Sequence, residues 1–346
     1  MDGLSAQMVA TERLAMHTLV RGDATGEPVI LVHGNVSAAR FFEELMLALP
    51  AQYYLLAPDL RGYGRSERKP VDATRGVRDF SDDLKAFVTA LGIERFHLLG
   101  WSLGGNVALQ YAIDHPGDLR SLTLVAPGSP YGFGGTAGID GTPNNAEFSG
   151  SGGGTANPGF VQAISAGDRG GDDPISPRNV MNSFYFRPAF RSPREDVFVE
   201  EMLLTATGPE NYPGDLTTTT AWPGVGPGVT GTNNALAPKY LNQEAFSSIE
   251  PRMPVLWIRG DSDQIVSDQS LFDLGVLGQL GAVPGYPGAD VYPAQPMVSQ
   301  MRALLDCYTS AGGRYREVVL VECGHSPHIE RPDEFLATFS AFLAES

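Results

Sequence analysis

Gly100-Trp101-Ser102-Leu103-Gly104 sets a serine between two glycines, at the junction of an apolar run (FHLLGW, 96–101) and a helical pattern (103–115). A serine at a sharp strand-to-helix turn can be held out as a nucleophile, provided nothing bulky sits two residues away on either side. The same turn puts the Leu103 N–H at a helix start, where it can meet negative charge as it develops. Such a hydroxyl needs a base. Of the six histidines, His17 and His97 fall inside strand-like runs, His33 reads as a tie for loop backbone, and His115 closes a helix. His325 and His328 remain, in ECGHSPHIERP (322–332), just past the last apolar run. Gly324 lets the chain turn directly before His325, which favours it over His328. The base in turn needs a carboxylate to orient it. RGDSDQIV (259–266) offers Asp263, with Asp261 as a rival that could simply bond its own turn. A second oxyanion donor is expected from HGNV (33–36), the Asn35 N–H first and Val36 second. Ser102, Asp263 and His325 thus form a nucleophile–acid–base set for acyl transfer, in the order serine, acid, histidine.

These residues need a scaffold that gathers them. Short apolar runs at 15–20, 28–34, 53–59, 96–101, 121–127, 254–260 and 316–322 alternate with helical patterns near 38–48, 78–92, 103–115, 296–311 and 332–344. That alternation predicts an α/β fold, with a mostly parallel sheet of about eight strands flanked by helices. Such a sheet builds its site at the carboxyl ends of its strands, and the candidates follow strand-like runs. The core is expected over 1–127 and 238–346, interrupted by a cap or lid at 128–237 and a second insertion at 270–296. The cap opens on a stretch rich in Gly, Ser, Asn and Pro and then offers two helix starts, Ser176-Pro177-Arg178 and Ser192-Pro193-Arg194. Glu195 completes a capping box in the second, so the cap is expected to be mostly helical. Trp101, Phe184 and Tyr185, with Tyr212 and Trp222, are candidates to line an apolar substrate pocket or to pack the cap's own small core.

Bulk properties narrow the classes. The net charge of −16 argues against nucleic acid and anionic membrane as partners. No apolar run is long enough to cross a bilayer, and the N-terminus lacks a leader pattern, so a cytoplasmic location is expected. Two cysteines, Cys307 and Cys323, make no disulfide framework and no metal motif, and Cys323 at a strand end reads as a packed small residue. GDRGGDDP (167–174) reads as a solvated loop rather than a calcium site. No metal and no organic cofactor is expected.

HGN (33–35), PDLRGYGRS (58–66), GWSLGG (100–105), RGDSDQIV (259–266) and CGHSPHIERP (323–332), in that order, resemble the α/β-hydrolase superfamily, specifically its esterase, lactonase and epoxide-hydrolase-like branch. The resemblance implies Ser102 as nucleophile, Asp263 as acid, His325 as base, and Asn35 and Leu103 as oxyanion-hole donors. It makes Asp59 and Arg61 scaffold. Ser102 stands where the dehalogenase and epoxide hydrolase relatives carry aspartate, which disfavours both activities. The expected function is a serine hydrolase, a carboxylesterase, that cleaves a small-molecule ester through an acyl-enzyme. A lactonase, a C–C or amide-bond hydrolase with the same triad, and a hydrolase-fold binding protein are the alternatives. The cap is longer and richer in glycine than the family's, so no relative's pocket is carried over. A small-molecule ester or lactone is the expected partner, and the protein is expected to be a monomer or a homodimer.

Overall fold

The computed structural model describes residues 1–346. Its main sheet has eight strands: β1 (Ser5–Ala10), β2 (Ala15–Arg21), β3 (Glu27–Val32), β4 (Tyr53–Pro58), β5 (Phe96–Trp101), β6 (Leu119–Val125), β7 (Pro254–Gly260) and β8 (Arg314–Leu320). They lie in the order β1-β2-β4-β3-β5-β6-β7-β8. β1 and β2 run antiparallel, β2 pairs antiparallel with β4, and every other pairing is parallel. β4 and β5 are buried throughout, because helices cover both faces. The core helices are α1 (Glu43–Ala48), α2 (Arg78–Ala90) and α3 (Leu103–Asp114), then two C-terminal helices at Met297–Ser310 and Pro332–Glu345. β1 escapes a reading by hydrophobic pattern because it is an exposed edge strand, with only Val9 buried.

The chain steps from β3 outward to β4 and then crosses to β5 on the other side of β3. The strand order therefore reverses between β3 and β5, which pair directly through Val32 and Gly100. In open α/β sheets a crevice forms at such a reversal, beyond the carboxyl ends of the strands. The loop carrying Asn35 and the turn carrying Ser102 leave from these two strands. Asp263 and His325 leave from β7 and β8, which also pair directly.

The segment 128–237 departs from the mostly helical module expected. It holds only short helices, at Pro158–Ala166, Pro177–Val180 (continued by a π turn to Tyr185), Glu195–Met202 and Thr232–Ala235, with small two-stranded ribbons between loops. The capping box at Ser192 does not form. The helix begins at Glu195; the Ser192 hydroxyl accepts the Arg194 N–H, and Glu195 is drawn to Arg178 instead. The glycine-rich start is nevertheless ordered. Its buried peptide groups are met by side chains from 290–300: Gln295 bonds Gly134 N and Gly132 O, and Tyr292 donates to Ser149 O. The two insertions thus fold against each other.

Candidate active site

Ser102 has φ +56° and ψ −121°, the strained backbone of an elbow between β5 and α3. The flanking glycines are required by space. A Cβ on Gly100 would lie 2.1 Å from Gly104 O, and one on Gly104 would lie 2.3 Å from Val32 O. The Ser102 N–H is tied to Val125 O on β6 (2.9 Å), and Gly105 N–H returns to Ser102 O (2.8 Å). Leu103, the first residue of α3, has no backbone acceptor for its N–H, and it lines the cavity described below.

Asp263 and His325 form a buried pair, 7% and 2% exposed, with Asp263 Oδ2 2.8 Å from His325 Nδ1. The other carboxylate oxygen accepts the Ile265 and Val266 N–H groups, at 2.8 and 2.9 Å, so both oxygens are anchored. The proton on Nδ1 directs Nε2 outward as the acceptor. Asp261 points elsewhere: it is exposed and takes the Ser262 hydroxyl and the Cys323 N–H. Some desolvation opposes ionisation there, but these hydrogen bonds hold its carboxyl below the usual range. His328 is also separate. It packs between Phe42 and Trp101, neither ring nitrogen has a partner, and burial pushes its pKa down to about 3. A ring held neutral without a carboxylate does not match the role of an oriented base. Cys323 is buried, and that burial pushes its thiol well up, away from a reactive thiolate.

The loop after β3 leaves the Asn35 N–H without a protein acceptor, whereas the Val36 N–H is taken by Asn35 Oδ1 at 3.0 Å. Gly34 O accepts from Ser37 Oγ and lies against His33 Nδ1, both at 2.8 Å, which leaves the opposite edge of that peptide, with the Asn35 N–H, free of a protein partner. His33 also accepts the Leu60 N–H at Nε2, so its ring ties backbone. Asp59 bonds His17, Ala39 N–H and Arg65 N–H, while Arg61 forks onto Asp83; both are scaffold.

Ser102, His325, Asn35 and Leu103 all line one cavity of about 510 Å³. Ser102 and His325 share it without a direct hydrogen bond. Its walls come largely from the insertions, including Phe160, Val180, Phe184, Tyr212, Leu271 and Phe272, and no Lys, Arg, Asp or Glu lines it. Three aromatic expectations change. Trp101 borders the cavity, but its indole is fully buried and donates to His325 O (2.8 Å), so it holds the histidine loop. Tyr185 lends an edge of the wall, while its hydroxyl turns into the protein toward Asn35 O. Trp222 packs on Tyr286 and Tyr292, away from the cavity.

A family model described as the alpha/beta hydrolase fold matches residues 27–140. The sequence is 35% identical over 107 residues to a 2-hydroxy-6-oxo-6-phenylhexa-2,4-dienoate hydrolase from Comamonas testosteroni, covering 30% of this chain and 37% of that protein. It is 37% identical over 109 residues to the probable lysophospholipase BODYGUARD 2 of Arabidopsis thaliana, covering 30% and 22%. The chain spans less than half the length of either curated relative. An esterase structure from Rhodococcus sp. ECU1013 superposes with a TM-score of 0.59 at 18% identity, covering 99% of this chain and 98% of that one. This chain has the α/β-hydrolase fold.

Within that α/β-hydrolase fold, sequence reasoning passed over Glu330. Its carboxylate accepts Gly324 N–H (3.0 Å) and Ser326 N–H (3.3 Å) on either side of His325, and Arg187 N–H (2.7 Å) from the first insertion. Burial holds this carboxyl above its usual range in spite of those donors. An acidic residue five places after a histidine was the available signal. Asn233 was also missed; it accepts from Asn35 Nδ2 at 3.1 Å, and nothing local in TNNA marks it.

Proposed function

We propose that the protein is a serine hydrolase that cleaves an uncharged, largely apolar carboxylic ester. Support comes chiefly from one observation: the buried Asp263–His325 pair opens into the same cavity as the strained Ser102 elbow and two unclaimed backbone N–H groups. Ser102 Oγ attacks the ester carbonyl and His325 Nε2 takes its proton, while Asp263 holds the imidazolium that results. The oxyanion rests on the Asn35 and Leu103 N–H groups. Collapse expels the alcohol, protonated by His325. Water, deprotonated by His325, then adds to the acyl-enzyme and releases the acid and free Ser102. A lactone follows the same steps with its alcohol still tethered.

The wall favours an ester or lactone over a dienoate substrate such as the Comamonas relative's name describes. That substrate carries a carboxylate, and a carboxylate buried without a cation is strongly disfavoured. Rates on neutral nitrophenyl esters of increasing acyl length, simple lactones and aminoacyl anilides test the reading. Hydrolysis of the anilides alone would overturn it.

A further inference from the structure

The oxyanion loop is held from two sides, and only one of them belongs to the core. His33 and Ser37 secure Gly34 O, the carbonyl of the peptide that carries the Asn35 N–H. The next peptide is secured from the first insertion. Tyr185, at the end of the π turn Met181–Tyr185, directs its hydroxyl at Asn35 O (2.9 Å) and, more distantly, Val36 O (3.3 Å). Val36 needs such a restraint. Its φ of +44° is a left-handed conformation that a β-branched side chain resists. The N–H of the Asn35–Val36 peptide is held by Asn35 Oδ1, which Tyr63 OH anchors in turn, so loss of the Tyr185 hydroxyl frees the carbonyl end, and a tilt there shifts the Asn35 N–H.

Tyr185 reaches the other half of the site as well. Its own carbonyl accepts the Ser326 hydroxyl at 2.8 Å, next to His325. Its ring sits edge-on to Trp101, with centroids 6.0 Å apart, and Trp101 in turn holds His325 O. Burial raises the phenol well above its ordinary pKa, so it remains a donor at working pH. One residue of the insertion therefore contacts both the loop that would bind the oxyanion and the loop that would carry the base.

We propose that Tyr185 is a positioning residue. Its hydroxyl holds the Asn35–Val36 peptide so that the Asn35 N–H meets the oxyanion, and its carbonyl links that loop to His325 through Ser326. The inference rests on the serine-hydrolase reading above. It makes the first insertion part of the catalytic machinery as well as a wall for substrate.

Tyr185→Phe keeps the ring and removes the hydroxyl. On a neutral nitrophenyl ester, kcat should fall about 10- to 100-fold, since small displacements of an oxyanion donor have effects of this size. KM should change less than about threefold, the pattern of an interaction made mainly in the transition state. Affinity for an alkyl boronic acid, which forms a tetrahedral adduct on serine, should fall in parallel with kcat. A folded Tyr185→Phe protein with wild-type kcat and boronate affinity overturns the proposal, whatever its melting temperature. Ser326→Ala cuts the other end of the link and should lower kcat by a smaller factor. Should Tyr185→Phe not fold, an unchanged kcat in Ser326→Ala overturns the proposal alone. Fluorophosphonate labelling of the wild type is measured alongside. No labelling at Ser102 sinks the serine-hydrolase reading, an outcome separate from a labelled enzyme in which Tyr185→Phe is silent.

Discussion

The carboxyl edge of the sheet and the insertions above it are built in opposite ways. At the edge, positions are set by close backbone approach. Gly104 lies where a Cβ would strike Val32 O, and Gly260 where one would strike Cys323 O at 2.1 Å. Little can move there without breaking a strand. In the insertions, position is set by side chains reaching across loops: Arg65 and Arg40 on the buried Glu201, Gln295 on Gly132 and Gly134, and Phe198 stacked 4.4 Å from Phe41. On the proposed reading the rigid edge would supply the chemistry, and the side-chain-braced insertions supply most of the cavity wall. Substitutions at the edge should therefore act on rate, and substitutions in the insertions on selectivity, stability or alignment.

The largest effect tests the edge. Ser102→Ala should reduce ester turnover by at least about 10⁴-fold and abolish labelling by a fluorophosphonate probe. Labelling that persists would move the nucleophile elsewhere. Next come the two aspartates of the turn after β7, Asp261 and Asp263. Asp263→Asn should lower kcat by about 10³- to 10⁴-fold, because an amide cannot stabilise the imidazolium. Asp261→Asn should stay within about fivefold, as expected of an exposed turn residue. The reverse ranking would transfer the acid's role to Asp261.

The same contrast explains what the sequence made legible. The edge could be read because its demands fall on residue type at short range: glycines two places from a serine, and a turn after each apolar run. Seven of the eight strands, the elbow and the candidacy of Asp263 and His325 follow from those local patterns, whereas the exposed edge strand β1 does not. The insertions could not be read so, because their determinants are long-range. Gln295 serving Gly134, or Asn233 serving Asn35, has no local signature. Ser192 and Glu195 show the converse. Their local capping pattern is sound, but Arg178 recruits Glu195 with a side-chain hydrogen bond at 2.5 Å, and the helix starts later. Tyr185 was legible as an aromatic near the pocket, yet the direction of its hydroxyl was not.

A smaller effect tests the wall. Because no charged side chain other than a protonated His325 borders the cavity, a carboxylate at the far end of the acyl chain has no counter-ion there. A half-ester of a dicarboxylic acid should show kcat/KM about 10²- to 10³-fold below its neutral methyl-terminated analogue of equal length. The net charge of −16 adds long-range repulsion, which raised salt should partly relieve. Equal rates for the two substrates would mean that the acyl chain lies outside this cavity.

The smallest effect concerns the second insertion, where stability should depend on pH in an unusual direction. Asp273 is fully buried and caps the short helix Leu274–Gln279, whose Leu274 and Leu277 line the cavity. One oxygen accepts the Val276 N–H (3.1 Å) and the Gln295 N–H (3.4 Å), while the other has no partner. Burial pushes its pKa up to about 6 in spite of those donors, and Tyr292 is the titratable neighbour coupled to it. The folded protein therefore holds this proton more tightly than the unfolded chain, where an aspartate releases it near pH 4. The stabilisation is complete below pH 4 and is lost as pH rises through 6. By linkage, about 3 kcal/mol is at stake. Asp273→Asn retains the capping oxygen but cannot ionise, so its melting temperature should lack the component of decline that the wild type shows between pH 4 and pH 7. Parallel pH profiles for the two proteins would mean that Asp273 is already ionised in the fold, with its unpartnered oxygen met by solvent.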